Sequence, residues 1–142
     1  MNTKNIVVVG SANMDLVMRV KRFPKAGETL SGKNFMTAHG GKGANQAVAA
    51  ARLGARVSFV GCVGEDAFGD FQRVGFAREG MDLSYLKIHP DLPTGTAIIL
   101  VADSGENTIV VDPAANNGLS PEDIARLGAC FSMADQVISQ LE

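Results

Sequence analysis

The residues best suited to chemistry lie in two short stretches, Asn13-Met14-Asp15 and His39-Gly40-Gly41-Lys42-Gly43-Ala44-Asn45-Gln46. In the second, three glycines within four positions precede an alanine-rich run. That pattern belongs to a backbone that bends sharply, approaches something closely and then opens a helix. The N–H groups of a helix start are free to bind an oxygen-rich ligand, and Lys42 and Asn45 add a charged donor and an amide. Asn13 and Asp15 are two apart, so in an extended segment they point the same way. They follow the carboxyl end of the first predicted strand, where open α/β sheets hold their ligands.

Other chemistries find less support. A P-loop needs Gly-Lys-Ser/Thr, yet here the last glycine leads into Ala44 and Asn45. A dinucleotide fingerprint needs more glycines after the first strand than Val9-Gly10-Ser11-Ala12-Asn13 supplies. Cys62 and Cys130 are isolated in apolar stretches and read as buried small hydrophobes, without metal-ligand spacing. His39 and His89 form no triad with Ser or Cys, and His39 reads as a packing residue beside the bend. Asp66 and Asp70 read as helix caps rather than metal ligands. Met14, Met18 and Met36 read as filler.

The elements that must position these residues follow from patterning. Ile6 to Val9 is a β-branched run suited to a strand covered on both faces. Leu16–Val20 and Thr29–Thr37 are predicted as an antiparallel pair with one wet face, ending at the glycine stretch. A helix from Ala44 stops at Gly54. Val57 to Val63 is the next buried strand, followed by a helix capped by Asp66 or Asp70 that runs to about Glu79 with Gly80 as its stop. Leu83 to Ile88 is a predicted strand, and Thr96–Val101 with Asn107–Val111 a hairpin. Asn116–Leu119 forms a turn, Ser120 caps a helix with Pro121 at its first position, and Gln136 to Glu142 is a last strand. The expectation is one α/β domain: a central, mostly parallel sheet with flanking helices, two antiparallel excursions, and a sheet left half built at residue 142.

Composition fits a soluble globular domain: 142 residues, 46% hydrophobic, 20% charged, net charge −2, sixteen glycines and no Trp. Without a Lys/Arg run, nucleic acid and anionic membranes are not expected partners. No apolar run is long enough to span a bilayer, and the N-terminus lacks a signal-peptide core, so the expected location is cytoplasmic.

Several spaced motifs resemble one family: Gly10-Ser11-Ala12-Asn13-Met14-Asp15, Pro24 with Gly27-Glu28-Thr29, Gly40 to Ala47, Gly54, Gly64-Glu65-Asp66 with Gly69, and Ala115-Asn116-Asn117. Together they resemble the ribokinase-like carbohydrate kinases over nearly the whole chain. The Gly-Gly-Lys-Gly-Ala-Asn-Gln-Ala wording favours the ribose-phosphorylating branch over adenosine, fructose or 6-phosphofructose kinases. By this resemblance, residues 1–142 are the N-terminal portion of one kinase domain, with lid segments at about 16–38 and 95–112. Asn13, Asp15, Gly41, Lys42, Asn45 and Glu142 match sugar-binding positions, Gly40 and Gly41 a hinge, and Ile98 and Val111 an apolar lid contact. Carboxylates that accept, amides that do both and a lysine that donates suit a polyol.

The resemblance implies transfer of the γ-phosphoryl of MgATP to the 5-hydroxyl of D-ribose, with K+ as a second cofactor and a homodimer formed through the lid. It places the catalytic base and anion hole in a later Gly-Ala-Gly-Asp segment absent from these residues, so no catalytic or metal-binding residue is expected here. The alternatives are a stand-alone sugar-binding or dimerising module, an inactive truncation, and a related sugar or nucleoside as substrate.

Overall fold

The computed structural model describes residues 3–140. Its first half follows the predicted alternation. β1 (Asn5–Val9) pairs in parallel with β4 (Arg56–Gly64), which pairs in parallel with β5 (Leu86–His89). β8 (Gln136–Ser139) lies parallel on the other side of β1, giving the order β5-β4-β1-β8. Helices cover both faces, which is why Val7, Val8, Phe59 and Val60 are buried although they alternate sides. On one face α1 (Lys42–Arg52) and α2 (Ala67–Arg78) pack Ala44, Ala47 and Phe76 against Val8 and Phe59. On the other, the short helices α3 (Pro121–Ala125) and α4 (Gly128–Ser132) bring Ile124, Leu127 and Cys130 onto Val7 and Val60. The rings of Phe59 and Phe76 meet at a 5.1 Å centroid distance, tilted by 56°.

Helix ends follow local chemistry. Asp66 caps α2, its Oδ1 accepting from Gly69 N–H at 2.8 Å, whereas Asp70 sits in the first turn and pairs with Arg73. Asp66 also accepts from the Thr94 N–H and hydroxyl, so the cap ties α2 to the start of the next strand. Ser120 and Asp123 close a capping box on α3. Gly54 and Gly80 follow α1 and α2 at positive φ of 92° and 72°. Cys62 and Cys130 are buried free thiols, and burial pushes both up from their ordinary values, as expected of inert packing residues.

A second sheet of order β3-β2-β6-β7 stands beside the core: β2 (Asn13–Val20), β3 (Lys33–Gly40), β6 (Gly95–Ala102) and β7 (Asn107–Asp112). β2–β3 and β6–β7 are antiparallel, as the sequence suggests, but β2 and β6 pair in parallel over eight residues and merge the two excursions into one sheet. Several strand boundaries differ from expectation, among them β5, which runs from Leu86 to His89 rather than Leu83 to Ile88. β2 begins at Asn13, three residues earlier; β3 runs from Lys33 to Gly40 rather than 29–37; and the last strand ends at Ser139. The helix after Ser120 is broken into α3 and α4 around Leu127. The expectation of one wet face also fails, because apolar Met36, Ile98, Ile109, Val110 and Val111 are all exposed on this sheet. Met14 is core filler, but Met36 is not. Among the described residues no helix is long and apolar enough to cross a membrane.

Candidate functional site

Strand register builds the site. Asn13 on β2 lies opposite Gly40 on β3 and Gly95 on β6, so a polar side chain is flanked by two residues without one. A Cβ at Gly40 would collide with the Asp15 carboxylate, and one at Gly95 with the Asn13 Oδ1 and the Asn116 amide. The glycines thus leave room for Asn13 and Asp15 to lie over the neighbouring strands. Residues paired across a ladder share a face, so Asn13 and Asp15 share theirs with Ala97, Ile99, Ile109 and Val111.

The glycine stretch does different work from a phosphate loop. Gly41, at φ 93°, is the N-cap of α1, and a Cβ there would sit 2.6 Å from the Ser11 carbonyl oxygen. Gly43 brings the helix onto Gly10, whose Cα would lie 2.7 Å from any added Cβ. Ala44 N–H donates to the Ser11 carbonyl at 2.9 Å, so one helix-start donor is taken by the chain itself. The first turn of α1 is thereby clamped to the loop after β1, with Lys42 and Asn45 on exposed positions beside it.

Asn116, read from the sequence only as a turn residue and part of a motif, is the central clamp. Its Oδ1 accepts from Ala12 N–H at 2.8 Å, and its Nδ2 donates to Asn13 Oδ1 at 2.8 Å and to the Pro113 carbonyl at 2.9 Å. It therefore fixes which end of the Asn13 amide faces outward: the Nδ2 donor group. Gln140 covers Gly10, donating to Ser11 Oγ at 3.3 Å, while its Oε1 is buried without a partner among the described residues. A cleft of about 530 Å³ opens here, lined by Ser11, Asn13, Val111, Asn116, Asn117 and Gln140. A second cavity of about 350 Å³, around Asn5, Arg56 and Tyr85 at the other end of the parallel strands, contains none of the predicted site residues.

Asp15 is half-buried, and that burial pushes its carboxyl above its ordinary value. The structure thus gathers Asn13, Asp15, Gly40 and Gly41 at one junction between the two sheets, with α1 carrying Lys42 and Asn45 into the same region. It does not bring Ile98 and Val111 together. Ile98 pairs with Leu16 and Val110 on the opposite face, whereas Ile99, one residue on, shares the face of Asp15 and Val111. The period-2 alternation of β6 carried this signal once the register to Asp15 was known. Glu142 lies outside the described residues. Among those residues, no three His, Cys, Asp or Glu side chains converge as a metal-ligand set.

Comparison with known proteins bears on the family and the fold. Residues 3–139 match the family model described as pfkB family carbohydrate kinase. The chain is 46% identical to the ribokinase of Haemophilus influenzae over 139 residues, 98% of this chain and 45% of the relative. Among solved structures, Giardia lamblia ribokinase superposes with a TM-score of 0.88 at 42% identity, covering 98% of this chain and 42% of that one. Arabidopsis thaliana ribokinase complexed with ribose and ATP gives 0.82 at 36% identity, covering 98% and 46%. The chain thus spans a little under half the length of each of these three relatives.

Proposed function

The chain belongs to the pfkB family of carbohydrate kinases, and from that premise we propose that it forms the sugar platform and lid of a ribokinase. In the intact protein the reaction is transfer of the γ-phosphoryl of MgATP to the 5-hydroxyl of D-ribose. One observation carries the reading: the polar side chains of Asn13 and Asp15 are laid over glycines at a sheet junction, and Asn116 orients the Asn13 amide.

In this reading Asp15 accepts hydrogen bonds from two sugar hydroxyls, and the outward Asn13 amide donates to a third oxygen. Lys42, Asn45 and the Gly41 backbone supply further donors from the start of α1, and Glu142 a further acceptor. Val111 and Ile99 form the apolar wall beside them. The small sheet is the lid, Gly40 and Gly41 are its hinge, and closure excludes water that would compete for the phosphoryl group. The catalytic base, the anion hole and the nucleotide contacts belong to sequence beyond these residues, as do the ligands of Mg2+ and K+, for which no ligand is assigned in this chain. The intact protein is a cytosolic homodimer joined through the lids, a pairing supported by the exposed Ile98 and Val110 on the face away from Asp15.

Two measurements test the proposal. D-ribose at saturating concentration is expected to raise the melting temperature of the 142-residue chain, and ATP with ribose to give no ADP release. A melt unmoved by ribose contradicts the sugar platform. Ribose-dependent turnover like that of an intact kinase contradicts the division of labour between this segment and the rest of the domain.

A further inference from the structure

Gln72, in the middle of α2, is polar yet fully excluded from solvent. Its amide spans two strands of the small sheet. Nε2 donates to the Asn13 main-chain carbonyl at the start of β2, and Oε1 lies 3.0 Å from His39 Nδ1 near the end of β3. The orientation is forced: the Asn13 carbonyl can only accept, so Nε2 faces it, Oε1 faces His39, and Nδ1 must carry the hydrogen. The neutral Nδ1–H tautomer and the imidazolium both satisfy that bond.

Two further contacts hold the His39 ring on α2. It stacks on Phe71 at a 4.2 Å centroid distance, inclined by 19°, and it fills the space above Gly75, where any Cβ would strike it. A mid-helix glycine weakens a helix by roughly 1 kcal/mol relative to Ala, so Gly75 exchanges helix stability for the seat of this ring. Met14 and His39 are paired in register, as are Asn13 and Gly40. Gln72 therefore grips both strands at the base of the small sheet, from the face opposite Asn13 and Asp15.

We propose that Gln72 is a positioning residue for the polyol site: by tying the Asn13 carbonyl and the His39 ring to α2, it fixes the angle at which β2 presents Asn13 and Asp15. The anchoring stands on the geometry alone, whereas its effect on sugar binding rests on the proposed function above.

Hydrogen–deuterium exchange on the unliganded 142-residue chain tests the anchor. In Gln72→Leu, amides of residues 13–15 and 38–40 are expected to exchange at least tenfold faster, with β1 and β4 unchanged. His39→Phe keeps the stack but loses the bond, and is expected to give a smaller acceleration confined to residues 38–40; this variant decides the matter if Gln72→Leu does not fold. Unchanged exchange at the base of the small sheet, or equal acceleration through β1 and β4, overturns the anchor. Ribose titration calorimetry tests the positioning. Gln72→Leu is expected to weaken binding about tenfold in the wild-type background and about threefold in Asn13→Ala, where only the share that passes through Asp15 remains. Additive losses overturn that role. A wild-type chain that gives no ribose heat overturns the substrate reading instead, and exchange then decides the anchor.

Discussion

The two sheets of this protein are built on opposite principles. In β5-β4-β1-β8 the apolar residues of the inner strands β4 and β1 are enclosed by helices on both faces, and Val8, Phe59 and Val60 are completely buried. In β3-β2-β6-β7 the apolar residues Ile98, Ile109, Val110 and Val111 are at least half exposed, and every residue of β7 is exposed. The central sheet is stabilised by what it buries within the chain. The small sheet is held by its ladder and by its base, where Asn116, Gln72 and the glycines fasten it to the core. Apolar area left open on a polar-edged sheet marks a surface that something else covers. The proposed function supplies two covers, sugar on the Asp15 face and a second lid on the Ile98 face.

Substitutions should separate the two sheets. Phe59→Ala, in the centre of the buried sheet, is expected to lower unfolding stability by about 3–5 kcal/mol in a denaturant titration. A loss below about 1 kcal/mol there would mean that the core is not the main source of stability.

Asp66→Ala removes the cap of α2 and its link to Thr94, and about 1–2 kcal/mol is expected to go with it. Burial alone would raise the Asp66 carboxyl, but the hydrogen bonds from Thr94 and Gly69 outweigh it and hold the group below its ordinary value. With the folded value depressed, this contribution is present above the ordinary value of 3.8 and lost as pH falls through the lower, folded value. Acid unfolding curves of wild type and Asp66→Ala should therefore converge below that window.

Asp15→Asn is expected to act in the opposite sense. Burial raises the Asp15 carboxyl, so its favourable share of stability is present below 3.8 and lost as pH rises through the raised value. At neutral pH the substitution should raise the melting temperature of the unliganded chain slightly while abolishing the shift produced by ribose. A fall in both would assign Asp15 to structure rather than to binding.

The smallest effect on stability is expected on the outer face of the small sheet. Ile98→Ser with Val110→Ser should change monomer stability by less than about 0.5 kcal/mol each but abolish self-association in sedimentation velocity. Association that survives both changes places the dimer contact elsewhere.

Much of the fold was legible in the chain because the core elements carry local signals. The β-branched run at Ile6–Val9, the cap at Asp66, the Ser120-Pro121 start and the stops at Gly54 and Gly80 all appear where patterning puts them. The small sheet was legible only in part. Its two hairpin-like pairs follow from turns between apolar runs, but the parallel pairing of β2 with β6 joins residues about eighty positions apart, and no local pattern encodes it. That pairing decides the face of every residue on β6, which is why Ile98 and Ile99 exchange roles. The same distance hid Asn116 and Gln72: one looks like a turn amide and the other like a surface glutamine on a helix, until Asn13 is brought beside both.

The sequence by itself determined the family motifs, the glycine stretch and the chemical character of Asn13, Asp15, Lys42 and Asn45, because residue type and short spacing are properties of the chain. Only the tertiary structure decided which glycines make room for which side chains, which amide orients Asn13 and which apolar residues face the cleft. Those choices depend on register and on contacts between distant segments, and a one-residue shift in register turns every side chain of a strand to its other face.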